Sequence, residues 1–247
     1  MSTITLIILA VLTAAVAVGA LWFMRWQEEK RLERARQALR HADAMGELSM
    51  IGESLSPWFS AAMMSFLAAR IQQHGQSLSQ LNTPPNQRTN RALENAANWS
   101  AAHKPAKARL PSQSKQAQNL RNMLQHLIEY IRSEYQAHRL AADQARSLLT
   151  EARQLNIKVA VAVFEGKAAA AESMSNYTQA IHYLRKSLAA MRGVDPLPAD
   201  MAALSERLQA RLQEQQEIQQ QYKAGTRLES GTAQLAEEDE AWKKKHF

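Results

Sequence analysis

The side chains able to do chemistry are few in this 247-residue chain, and they are widely spaced. Seven histidines are scattered along it. His126 with Glu129, and Glu134 with His138, stand three and four residues apart, so each pair shares a helix face. Two such groups are half of a metal site. A zinc-binding helix needs two His at i, i+4, and no two His here have that spacing. Cysteine is absent, which excludes thiol catalysis, thiolate ligation and disulfides. No glycine-rich phosphate loop, nucleophile elbow or paired-carboxylate motif occurs. The expectation is a protein that is not an enzyme and holds no metal or cofactor. What remains is fixed charge. Arg25, Lys30, Arg31 and Arg34 follow an oily run and suit lipid phosphates, each adding about 1 kcal/mol near an anionic surface. Glu28, Glu29 and Glu33 dilute that attraction. Arg185 and Lys186 suit the carboxylates of a partner, although exposed basic residues are common on helices.

The elements that must position these groups are helices. Gly (8) and Pro (7) are scarce, while Ala, Leu, Gln, Arg and Glu abound, so the fold class expected is all-α. Ile4 to Met24 carries no charge over 21 residues, about 30 Å of helix, which matches one hydrocarbon core. Eleven of them are Leu, Ile, Val or Phe, favouring insertion by roughly 5 kcal/mol in total. A cleaved signal needs a basic start, which "MSTIT" lacks, and Leu21, Trp22 and Phe23 extend the apolar run past the small residues at 18–20. A single permanent transmembrane helix over 1–24 is therefore expected. Basic residues crowd only its C-terminal flank, which sets the N-terminus outside and the remainder in the cytoplasm, as in a bacterial inner-membrane protein.

Residues 25–75 read as juxtamembrane helices. Leu32, Ala35, Leu39 and Ala42 make a thin 3-4-3 seam that would serve a coiled coil or homodimer. Leu48, Ile51, Leu55, Trp58, Ala62, Phe66 and Ala69 form one helical stripe, and Ser56-Pro57 predicts a helix start. Ser54 to Ala69 is uncharged. It reads first as a buried core helix, then as a helix in the membrane interface, then as a partner-binding stripe. "AMGELSMIGESLS" resembles the dimerisation helix of sensor histidine kinases over a dozen residues, with Ser54 where the phosphorylated His would stand. No ATP-binding glycine boxes follow.

Over 76–116 large apolar residues thin out. Basic residues there outnumber Glu94, the one acid, so a basic flexible linker with a short helix near "RALENAANW" is expected. Periodicity returns at 117 with Leu120, Leu124, Leu127 and Ile131, followed by a second run over 140–152. Helical runs over 157–174 and 176–192 flank "SMSN" as a hairpin. Phe164, Ala168, Ala171, Tyr177, Ala180, Leu184 and Ser187 place large, small and aromatic residues as a tetratricopeptide repeat does, and the hairpin resembles one degenerate copy of that family. Lys167 stands where the family has Leu, and Pro196 comes late. The resemblance implies a helical TPR-like domain over 117–222, closed by a helix bearing Met201, Leu204, Leu208 and Leu212. It also implies a partner groove on helix A, with Phe164, Lys167, Ala171 and Glu172 as groove residues. Residues 223–247 read as a disordered tail.

The function expected is a non-enzymatic, membrane-anchored scaffold or adaptor that binds a protein partner at the cytoplasmic face. Two alternatives stand beside it. One is a membrane-surface or nucleic-acid binder working through the basic segments, with nucleic acid disfavoured because no aromatic stacking array accompanies the charge. The other is a structural coiled-coil component of an envelope complex.

Overall fold

The computed structural model describes the backbone of residues 3–102, 106, 108–193 and 197–246, and the side chains of 19, 21–100, 106, 108–193 and 197–223. Every regular element among the described residues is a helix. They are α1 (Thr3–Leu55), α2 (Ala61–Gln80), α3 (Gln87–Ala102), α4 (Ser114–Gln136), α5 (Ala142–Ser173), α6 (Tyr177–Met191) and α7 (Ala199–His246). They group into two compact units, residues 1–106 and 107–247.

The first unit is a three-helix bundle built on the C-terminal part of α1. From Leu21 to Gln37 every residue of α1 is exposed, and burial begins at Ala38. Among the described residues no helix is long and apolar enough to cross a membrane. The apolar run over 4–24 falls mostly on side chains outside that description.

The stripe from Leu48 to Ala69 is not one helix but two faces that meet. Pro57 lacks the N–H a helix needs and disfavours helical geometry in the residue before it, so α1 stops at Leu55. The new helix starts at Ser60 rather than at Ser56-Pro57. Ser60 Oγ accepts the Met63 N–H at 3.2 Å, satisfying one donor that a helix start leaves orphaned. Met45, Leu48, Ile51 and Leu55 of α1 thereby face Phe59, Met63, Met64, Leu67 and Ile71, all buried. Each contributes about 1.5–3 kcal/mol by leaving water. Residues 54–69 thus supply core, while Ala62 and Ala69 point to solvent.

The segment 76–116, expected as a linker, carries the end of α2, all of α3 and the start of α4. Asn86 and Thr89 form a reciprocal cap. The Thr89 N–H donates to Asn86 Oδ1, and the Asn86 N–H to Thr89 Oγ1, both at 2.9 Å. Thr89, Ala92 and Ala96 are buried, with Trp99 half-buried on the same stripe. The docking site for this stripe is notched. A Cβ added at Gly46 would lie 2.2 Å from the Arg88 guanidinium, and one at Gly52 would lie 2.2 Å from the Trp99 ring. Small residues on one helix and missing side chains on the other bring α3 onto α1, where few large apolar residues are available. Asn95 adds a hydrogen bond to Ser49 at 3.0 Å and one to Glu53, and Arg91 reaches Glu53 at 3.1 Å.

In the second unit α4 and α5 pack together, α5 packs on α6, and α6 packs on α7. Leu124, Leu127 and Ile131 of α4 are fully buried, as are Ala152 and Val159 of α5. Val161, Ala168, Leu184, Met191, Met201 and Leu208 form a core shared by α5, α6 and α7. The hairpin turn falls where "SMSN" predicts it. Ser175 takes φ 55°, the Asn176 N–H returns to the Ala171 carbonyl at 2.9 Å, and Asn176 Oδ1 caps α6 from Gln179 at 3.2 Å. Helix A is much longer than expected, since α5 begins at Ala142. The 223–247 segment, expected as a disordered tail, is helical through His246 as the continuation of α7. Its acidic block and Trp242 lie outside the described side chains.

Candidate functional site

A cleft built by several elements lies between α5 and α7, with a volume of about 580 Å³. Val161 and Met201 form its buried floor, joined by Ala162 and Leu204. Its rim is charged, because the two helices face each other across α6 and only long side chains bridge them. Lys158 Nζ donates to Asp200 Oδ2 at 2.5 Å, and Arg207 donates to Glu165 Oε1 at 2.9 Å. Further along, Arg211 makes two bonds to Glu172, at 3.1 and 2.6 Å. The paired geometry makes Arg211–Glu172 the best-defined link. The other two are largely exposed, and exposed pairs contribute about 0.2–1 kcal/mol each.

The three α5 members stand seven residues apart, two helical turns, and read cation–anion–anion. Those of α7 read anion–cation–cation in the same order. The Lys158 ammonium holds the Asp200 carboxyl below its ordinary value of 3.8, outweighing partial burial, with backbone N–H groups at the start of α7 assisting.

A third segment closes the cleft. Residues Arg109, Leu110 and Ser112, ahead of α4 and outside any helix, line it. Gly166 makes their approach possible. A Cβ there would stand 2.9 Å from the Ser112 Cβ, closer than side chains tolerate. Leu110 and Pro111 are half-buried and Arg109 is exposed.

Of the four residues expected in a groove, only Glu172 stands on this α5–α7 line. Ala171 is buried in the core. Phe164 and Lys167 lie on the α6 side of α5, where Lys186 sits 6.0 Å over the Phe164 ring and Lys167 sits 5.7 Å over Tyr183. The cleft residues Lys158, Ala162, Glu165, Asp200 and Arg207 were not singled out from the sequence. Their signal was the complementary seven-residue charge pattern, which acquires meaning only once α5 and α7 are known to face each other.

The basic residues expected to meet lipid phosphates, Arg25, Lys30, Arg31 and Arg34, are exposed along α1, with Lys30 Nζ 3.9 Å over the Trp26 ring. Glu134 is buried and bonds Arg139 through both carboxylate oxygens at 3.1 and 3.2 Å, in place of His138. That hydrogen bond raises the Arg139 pKa further and keeps it charged. His41 and His74 meet across α1 and α2 with Nδ1 atoms 2.9 Å apart, within hydrogen-bond distance. Among the described residues no third His, Asp or Glu joins any such group into a metal site.

Comparison with known proteins finds no match: no family model, no curated protein and no solved structure aligns significantly with the chain.

Proposed function

We propose that this chain is a non-enzymatic, membrane-anchored scaffold that offers the α5–α7 cleft to a segment of a partner protein at the cytoplasmic face of an inner membrane. The observation that carries the reading is the cleft itself. It has an apolar floor and a rim of paired charges, which suit a polypeptide guest that buries apolar side chains and keeps its polar groups at the edge. The uncharged run over 4–24 and the basic flank after it support an anchor with the helical units inside. The succession of α5, a tight turn, α6 and a third helix against α6 is compatible with one TPR-like hairpin and its closing helix.

A photo-cross-linking residue in place of Ala162, in the full chain in cells, tests the proposal. A discrete adduct in the membrane fraction is expected. Glu165→Lys should reduce it about tenfold while circular dichroism keeps its helical amplitude. The absence of any adduct, or an adduct indifferent to Glu165→Lys, contradicts the reading.

The membrane-surface reading is favoured by the exposed cations of α1 and the Lys30–Trp26 stack. The coiled-coil reading fares worse. With Leu32 and Leu39 at position a, a parallel dimer would set Arg31 against Arg36 of the second copy, a like-charge contact.

A further inference from the structure

The wall formed by Arg109–Ser112 differs in kind from the other walls of the cleft. The rest of the lining comes from α5 and α7, whose cores hold it in place. Residues 108–112 belong to no helix and run into Gln113, whose backbone is extended; Pro111 biases Leu110 before it toward extended geometry as well. Leu110 and Pro111 are half-buried, the share of apolar surface a surface-bound peptide gives up. Close packing comes at one place, where Ser112 sits over a helix position that has no side chain, Gly166. A glycine inside a 32-residue helix costs about 0.5–1 kcal/mol relative to Ala, so helix formation does not explain it. Close approach of extended chain does.

We infer that the α5–α7 cleft is a docking groove for extended peptide of a cation–aliphatic–proline pattern, and that "ARLPS" of this chain, residues 108–112, is its resident occupant. The aliphatic residue lies toward Val161, Ala162, Met201 and Leu204. The proline presets the extended backbone and lowers the ordering cost. The small residue after it passes over Gly166. The cation stays at the rim near Glu165 and Asp200, whose charges Arg207 and Lys158 already balance. The groove therefore selects by shape and apolar contact more than by net charge. A partner carrying the same pattern must displace the resident. Because the resident is tethered, it competes at an effective concentration on the order of millimolar.

This inference rests on the proposed partner-binding role of the cleft and adds its selectivity and its regulation. The test uses the full chain and a capped synthetic peptide of residues 108–113. Leu110→Asp in the chain removes the resident's aliphatic contact and leaves the groove lining intact. Gly166→Val fills the groove at the point of closest approach.

The expected result has two parts. In the unaltered chain, the Leu110 and Ser112 amides exchange at least about tenfold more slowly than in the free peptide, and Gly166→Val abolishes this protection while helical content holds. The peptide binds the Leu110→Asp chain at least about tenfold more tightly than the unaltered chain, and does not bind the Gly166→Val chain. Exchange as fast as in the free peptide overturns the inference. So does equal peptide affinity for the unaltered and Leu110→Asp chains, absence of binding to both included. The two proposals fail separately. A cellular adduct from position 162 combined with peptide indifference refutes only the resident-segment inference. Displaceable peptide binding with no cellular adduct refutes only the scaffold reading.

Discussion

Asp200 shows how a single side chain links the two helices of the cleft. It is the first acid of α7, it accepts from Lys158 of α5, and its carboxyl titrates below 3.8. A carboxyl depressed in the folded state contributes stability that is complete above its unfolded value. That contribution is lost as pH falls from about 3.8 through the folded value. Asp200→Asn removes it at every pH. The second unit of the variant should therefore unfold earlier than the parent at neutral pH, and the two acid-unfolding curves should converge at the lowest pH. Hydrogen exchange of α7 amides as a function of pH measures this. A difference between the chains that grows on acidification contradicts the assignment. By sequence position alone, Asp200 is one acid near the start of a helix. Its partner stands 42 residues away and is unreadable before the helices are paired.

Helix α3 marks the limit of periodicity as a guide. Large apolar residues announced α1, α2, α4, α5 and α6, and the hairpin boundaries at 174–176 follow directly from "SMSN". α3 has almost none, and its burial rests on Thr89, Ala92 and Ala96, with Trp99 set into the notch at Gly52. The capping pattern Asn86-x-x-Thr89, directly after two prolines, was the readable signal. The notches were not, since a glycine's vacancy has meaning only when its neighbour is known. Gly52 in "AMGELSMIGES" leaves the space that the Trp99 ring fills. Gly52→Val should drive Trp99 out of its place, a misfit of about 1–3 kcal/mol. Exchange of α3 amides should then rise about five- to hundredfold. Trp99→Ala combined with Gly52→Val should recover part of that protection, because the clash is gone. Purely additive losses in the double variant would contradict the notch.

The chain divides into two compact helical units, and the first of them includes the long helix α1, exposed from 21 to 37. The exposed stretch covers about 25 Å at 1.5 Å per residue, a distance that would hold the first bundle clear of a headgroup layer. The helical class was legible from composition. The division near residue 106 was not, because the segment around it reads as polar linker on either side of a folded helix. The cleft was only partly legible. Its hairpin was visible, but its face was assigned to Phe164 and Lys167, whose side chains pack toward α6. The scaffold reading requires both units to lie on the inner side of the membrane with the 4–24 run still attached. Protease added to intact spheroplasts measures this directly. The expected result is a chain that resists digestion beyond residue 40 until the membrane is lysed. Cleavage beyond residue 40 in unlysed spheroplasts, or a purified chain that begins near Leu21, would contradict it.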